Sequence, residues 1–171
     1  MLPTNKLATV TIKMSRLLYD IANETFLRGR VLLNKDNHKE VASMYANEDE
    51  GHREKILRSI KRAYADVRTV LDEYLNEWDD IADNSLIDDG VDLELNLIMP
   101  DNYSEGATSG LCEAVHAYLV NSAVADWYVI TNKEEAEQYY ALASKAMELV
   151  RQTASKRRRP VRPANGDCDY L

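Results

Sequence analysis

The sequence is poor in the residues that build turn-rich or cross-linked folds. Six glycines and four prolines in 171 residues leave few positions for tight turns, which favours long helices over a β fold. Two cysteines, Cys112 and Cys168, are too few for a disulfide framework or a tetrahedral zinc site, so a reducing, intracellular setting for assembly is expected. No window approaches the ~18 consecutive apolar residues of a membrane span. The opening MLPTNKLATVTIKMSR lacks the apolar stretch of a secretion signal. Absent too are a phosphate-binding glycine loop, a dinucleotide fingerprint, a Gly-x-Ser-x-Gly elbow and a convincing Cys–His pair. An enzyme is not expected, nor a cofactor or a resident metal.

What is present has the composition of an ordinary soluble domain, 45% hydrophobic and 29% charged, in a chain long enough to bury a core. The net charge of −8 argues against a surface that binds nucleic acid as a whole and leaves local basic patches open.

The clearest pattern runs from Lys55 to Trp78. Leu57, Ile60, Tyr64, Val67, Leu71, Tyr74 and Trp78 recur at alternating spacings of three and four residues, which only an α-helix places on one side. Ile56, Ala63 and Val70 widen the stripe beyond a bare coiled-coil seam. Acidic Glu48, Asp49 and Glu50 precede Arg53, Lys55, Arg58, Lys61 and Arg62, as the positive N-terminal end of the helix dipole favours. The pattern predicts a helix over 50–81, ~45 Å long, and makes it the spine of the subunit.

Residues 7–12, LATVTI, read as either a short strand or an extended arm. From Met14 the periodicity is helical, with Leu17, Leu18, Ile21 and Ala22 on one face and Leu27 and Val31 continuing it. Ser15 is a candidate N-cap, and Gly29 is expected to weaken or kink the last turns. Residues 34–49 form a polar connection with one helical turn around Val41 to Tyr45. After the acidic turn DNSLIDDG, the segment VDLELNLIMP alternates: Val91, Leu93, Leu95, Leu97 and Met99 point one way, Asp92, Glu94 and Asn96 the other. Ile98 breaks the polar face and Pro100 ends the strand. Its ladder requires a partner, supplied by residues 7–12, by another segment, or by a second copy through β-augmentation. Two further helices follow, LCEAVHAYLVNSAVADWYVI, capped by Thr108 or Ser109, and one opened by Thr131 with Glu134 three residues on. The second carries Ala136, Tyr139, Tyr140, Ala143, Met147 and Val150 and stops at Pro160. The fold class is therefore mainly α: an elongated helical bundle built on one long helix, with a small β element (strand 91–99) and an extended C-terminal tail. Residues 1–156 form a single domain and 157–171 a basic, Pro-containing arm.

Glu113 and His116 have the i, i+3 spacing of di-iron bundles, but the further Glu and second Glu-x-x-His that such a site requires are missing. Asp49 and His52 are the nearest match, at a helix start among charges. The run Asp79, Asp80, Asp83, Asp88, Asp89 and Asp92 lacks calcium-loop spacing and reads as a solvated turn or as a face for a basic partner. The cluster Lys156, Arg157, Arg158, Arg159 and Arg162 has three readings: a helix end favoured by the dipole, phosphate contacts to nucleic acid, or docking onto an acidic surface of an adjacent copy.

The long helix 50–81, the strand VDLELNLIMP, the pair LCEAVHAYLVNSAVADWY and KEEAEQYYALASKAMELVR, and the KRRRPVRP tail together resemble the head–tail connector (neck, adaptor or ring) proteins of tailed bacteriophages. MSRLLYDIANE and YLVNSAVADWY are similar to neck proteins of the crAss-like gut phages. The resemblance covers the organisation of residues 10–163. It implies a structural virion protein, assembled in the host cytoplasm and placed in the neck. Copies would form a homo-oligomeric ring, dodecameric in such families, that binds the portal and other neck or tail proteins around the DNA channel. Within that reading the contact residues are Val91, Leu93, Leu95 and Leu97 on the strand and Arg157, Arg158, Arg159 and Arg162 on the arm. A regulatory helical-bundle module for a basic protein partner is the alternative, and a metal-binding helical enzyme is a third.

Overall fold

A computed structural model describes residues 5–46, 49–76 and 84–160. Its strands β1 (Lys6–Ile12) and β2 (Leu93–Met99) pair antiparallel, with Lys6 opposite Met99 and Ile12 opposite Leu93. Of the candidate partners for the alternating strand, residues 6–12 of the same chain are the one found. The register sets Ala8, Val10 and Ile12 across from Leu97, Leu95 and Leu93. All but Ala8 are buried, Ala8 partly so, so the pleat turns one apolar face inward. Leu7 lies opposite Ile98 on the outer face and is 78% exposed.

Helix α1 (Met14–Leu32) starts two residues after β1. Its first turn is capped from outside the helix: the Asp92 carboxylate accepts from the Met14 N–H at 3.0 Å and from Lys13 Nζ at 2.6 Å. The Lys13 ammonium, then the Met14 amide, hold the Asp92 carboxyl below the usual carboxylate range. Asp92 thus takes the place expected for Ser15, because a carboxylate matches the helix's positive end better than a hydroxyl. Helix α1 runs on through Gly29 to Leu32. A Cβ there would sit 3.3 Å from Val41 Cγ1, so glycine lets α2 (His38–Met44) pack close.

The stripe read in the sequence is the buried side of α3 (Glu50–Val70), where Ile56, Leu57, Ile60, Ala63 and Val67 enter the core. The helix is shorter than expected. Leu71 closes it, a single 3-10 turn spans Asp72–Tyr74, and Leu75 bridges to Leu97 while the Asn76 N–H donates to Asn96 O. A 3-10 turn keeps residues three apart on one side. Leu71 and Tyr74 therefore continue the spacing without continuing the α-helix. Trp78 and the expected end at Ile81 lie outside the described residues.

Helices α4 (Thr108–Thr131) and α5 (Lys133–Ala154) form an antiparallel hairpin. A 3-10 turn, Glu105–Ala107, leads into α4, and no side chain caps it. The cap of α5 is Asn132, whose side chain accepts from the Glu135 N–H at 3.4 Å, one residue beyond the expected Thr131. Leu111, Ala114, Val115, Leu119, Ala123, Val124, Ala125, Trp127 and Tyr128 of α4 are all buried. At about 100° per residue they occupy the whole circumference, and α4 touches α5, α3, α1, α2 and β1. The molecule is mainly helical with a small β element, as expected, but its central helix is α4. Among the described residues, no helix is long and apolar enough to cross a membrane.

Candidate functional site

Three features stand apart from simple apolar packing: a largely buried polar clamp, an aromatic groove, and the root of the basic segment. The clamp joins α1 to the α4–α5 hairpin. Arg28 makes a two-pronged bond to Glu135, Nε to Oε2 at 2.5 Å and Nη2 to Oε1 at 2.8 Å, and Glu135 is only 5% exposed. That bond holds the Arg28 guanidinium pKa above its ordinary value. Beside it the Tyr139 hydroxyl donates to Glu24 Oε1 at 2.6 Å, and Tyr139 meets Tyr128 edge to face at 5.4 Å. Burial first, then the neighbouring carboxylates, pushes both phenols far above the ordinary tyrosine range. Next to them the buried Thr25 hydroxyl accepts from the Ala46 N–H at 3.2 Å, and Trp127 Nε1 donates to Met44 O at 2.8 Å. These groups satisfy one another, and the arrangement holds helices together.

The groove is an open cleft of about 500 Å³ between α1, the end of α2, the start of α3 and the loop before β2. Leu18, Tyr19, Ala22, Phe26, Tyr45 and Ile56 line it, with Ser15, Asn23, Arg53 and Asp89 around them. Tyr19 is 59% and Phe26 44% exposed, and Phe26 packs edge to face on Tyr45 at 5.6 Å. Arg16 lies over the Tyr19 ring at 5.4 Å and Arg30 over the Phe26 ring at 5.7 Å.

At the opposite end, the segment after α5 folds onto the β2–α4 connection. Arg157 bridges to Tyr103, the Arg158 N–H donates to Asn102 O at 2.8 Å, and the Ser104 N–H to Lys156 O at 3.1 Å. Glu105 binds both Lys6, at 3.0 Å, and Arg158, at 2.9 Å. Lys6 above all holds the Glu105 carboxyl below its usual range.

The residues expected to make contacts between copies are thus divided. Leu93, Leu95 and Leu97 face the chain's own core, a correction that follows from the β1 pairing. Val91 precedes the strand and is 57% exposed. Arg157 and Arg158 are tied to their own subunit, so the arm leaves the body later than residue 157. Arg159 is exposed, and Arg162 lies outside the described residues, as do Asp79, Asp80, Asp83 and Cys168. Asp89 pairs with Arg53 and Asp92 with Lys13, so this part of the acidic run is engaged within the chain. Glu113 is exposed, whereas His116 turns to Asp20 at 2.9 Å. His52 stacks edge-on against Trp127 at 4.7 Å. Among the described residues, no group of three His, Cys, Asp or Glu side chains is placed to hold a metal ion.

Neither the clamp nor the groove was foreseen from the sequence, because their members come from distant segments, 107 residues apart for Arg28 and Glu135 and 115 for Glu24 and Tyr139. One signal was readable: no Lys or Arg lies between Arg68 and Lys133, a stretch holding fourteen of the 29 acidic residues. Comparison with protein-family models, with curated proteins and with solved structures finds no match for this chain.

Proposed function

We propose that the chain is a structural subunit that works in many copies, a head–tail connector of the neck type that joins a portal to a tail around the DNA channel. The observation that carries this reading is the spread of exposed apolar side chains over separate surfaces: Leu7 at 78%, Val31 at 73%, Ile130 at 69%, Tyr19 at 59% and Val91 at 57%. Leu7 sits on the outer sheet face, Tyr19 on the α1 flank, and Val31 and Ile130 near the far ends of α1 and α4. A subunit in a closed ring is contacted on two different faces, since head-to-tail interfaces are heterologous, and apolar surface on several faces suits that geometry. The sequence resemblance supplies the specific reading as a connector, with a ring of twelve and the portal as neighbour. Of the expected contact residues among the described residues, Val91 and Arg159 remain exposed.

Mass photometry of the purified chain, alone and with its portal, tests the proposal. A large symmetric oligomer in either condition, ring-shaped in negative stain, is the expected result. Monomer in both would overturn it. The acidic stretch between Arg68 and Lys133 favours a second reading, a module that binds a basic protein. A monomer that captures such a protein at low salt and releases it as salt rises would support that reading instead.

A further inference from the structure

We infer that the free edge of β1 is a pairing site for β1 of a second copy, the two strands running antiparallel about a two-fold axis beside Leu7. The inference goes beyond the connector reading, because an edge-to-edge pair is an isologous contact, separate from the head-to-tail contacts that close a ring.

In an antiparallel ladder the N–H and C=O of one residue point to the same side, and that side alternates along the strand. On β2 the Glu94 carbonyl accepts from the Tyr64 hydroxyl at 2.6 Å, and the Asn96 carbonyl from the Asn76 N–H at 2.9 Å. Both carbonyls therefore point away from β1, and with the Leu75–Leu97 bridge these contacts close the outer edge of β2. Thr9 lies opposite Asn96 and Thr11 opposite Glu94, so the odd-numbered residues of β1 turn their backbone groups away from β2. The Thr11 carbonyl agrees with this parity, since it accepts from the Cys112 thiol of α4 at 3.7 Å. That contact closes one end of the β1 edge. The rest is open. Leu7 and Thr9 are exposed, and among the described residues no group meets their outward N–H and C=O. By the same alternation Asn5 follows them, and it too is exposed.

Exposed edges are usually guarded by a free charge, a proline or a bulge. Residues 5–12, NKLATVTI, hold no proline and a single charge, Lys6. Its ammonium is already held by Glu105 at 3.0 Å and by Tyr103 O at 3.3 Å. Leu7, 78% exposed on the outer face, is the most exposed large apolar side chain among the described residues. The edge invites a strand.

Self-complementarity and charge select a second copy as that strand. The open window Asn5, Leu7, Thr9 is symmetric about Leu7. Setting Leu7 opposite Leu7 of the second copy, and Asn5 opposite its Thr9, uses every outward group once and forms about six backbone hydrogen bonds. The two Leu7 side chains then lie side by side on the outer face and shield each other from water. The window carries no free charge, so two copies of net charge −8 meet there without opposing like charges, and a partner recognised by charge finds no counterpart. The combined sheet has the order β2-β1-β1-β2, four strands where one copy has two.

The register makes the contact trappable. In a Cys112→Ser, Cys168→Ser background, Leu7→Cys places two thiols across the two-fold, on Cα atoms ~5.5 Å apart. Thr9→Cys is the control on the same edge: it faces Asn5 and lies four residues, ~14 Å, from its own copy. A short bifunctional thiol reagent joins the first pair and cannot reach across the second. Leu7→Cys is expected to give crosslinked dimer at about tenfold or more the yield of Thr9→Cys, as pairing raises the local thiol concentration. Adding Thr9→Pro or Asn5→Pro should return the yield to control level, since each removes an outward N–H and leaves the β1–β2 ladder whole. Equal yields at the two positions, no crosslink, or a yield that both proline variants leave unchanged would each overturn the proposal. Amide exchange in the unmodified full chain is the second measurement. The Leu7 and Thr9 amides should exchange more slowly as concentration rises. Protection at every concentration would put a segment of the same chain on the edge, and no protection at any would leave the edge unpaired; either result sinks the inference.

Discussion

Helices α3 and α4 lie side by side and are similar in length, 21 and 24 residues, yet they are buried in different ways. In α3 one side enters the core while Arg58, Arg62, Ala65 and Thr69 meet solvent. In α4 buried residues occur all the way round. A half-buried helix advertises itself by periodicity, because only one side must be apolar. A central helix loses that signal when every side has a neighbour. The helix that looked like the spine is the peripheral one, and the spine carries the weaker pattern.

The sharpest test makes the same change in both helices. Ala125 is fully buried in α4 and Ala65 is exposed on α3. Ala125→Gln should cost ~3 kcal/mol or more, from overpacking plus a buried amide without partners. Ala65→Gln should stay within ~0.5 kcal/mol. Urea denaturation of the two variants decides it, and equal losses would break the comparison. The next effect concerns how each helix is tied to its surroundings. Arg28→Met leaves the Glu135 carboxylate buried beside the α4–α5 turn, for an expected loss of ~2 kcal/mol. Arg62 pairs with Asp126 across α3 and α4 at 2.9 Å, but its side chain is 66% exposed. Arg62→Met should therefore cost less than ~0.5 kcal/mol, and matching losses in thermal unfolding would show that the two ties do not differ.

The smallest effect is a dependence on pH. Tyr128 and Tyr139 have raised pKa values in the folded state, so they stay protonated in the fold while an unfolded chain ionises them near pH 10. The stability they lend is complete below pH 10 and declines above it, by up to ~1.4 kcal/mol per pH unit for each tyrosine. Tyr139→Phe should flatten the fall in melting temperature between pH 10 and 11 while lowering stability at pH 7 by ~1 kcal/mol through the lost bond to Glu24. An unchanged alkaline slope would show that Tyr139 ionises as readily in the fold as outside it.

Legibility followed the locality of the signal. The alternation of β2 and the one-sided stripe of α3 depend on residues within one element, and both were found where expected. The end of α3 was misplaced because a 3-10 turn carries Leu71 and Tyr74 at a spacing that α-helix and 3-10 helix share. Capping failed in two ways. Asn132 took over from Thr131 within one residue, an error inherent in locating boundaries. Asp92 capped α1 from nearly eighty residues away, which no local pattern reveals. Gly29 was noticed, but its cause, the approach of Val41, belongs to the packing of a second helix. The clamp stayed hidden because Arg28, Glu24 and Glu135 are ordinary surface residue types and Tyr139 reads only as a core or interface position; the four are joined only when α1 lies against α5.

By itself, then, the sequence determined that this chain is mostly helical with one alternating strand, because hydrophobic periodicity and scarce glycine and proline act within short stretches of backbone. Tertiary structure alone decided that β1 closes the β2 ladder and turns Leu93, Leu95 and Leu97 inward. It also decided that α4 and not α3 is the centre, and that Arg157 and Arg158 belong to the body. Each of these depends on which long-range neighbour removes a group from water or satisfies its hydrogen bonds. Spacing along a chain specifies a face, and only packing specifies what that face meets.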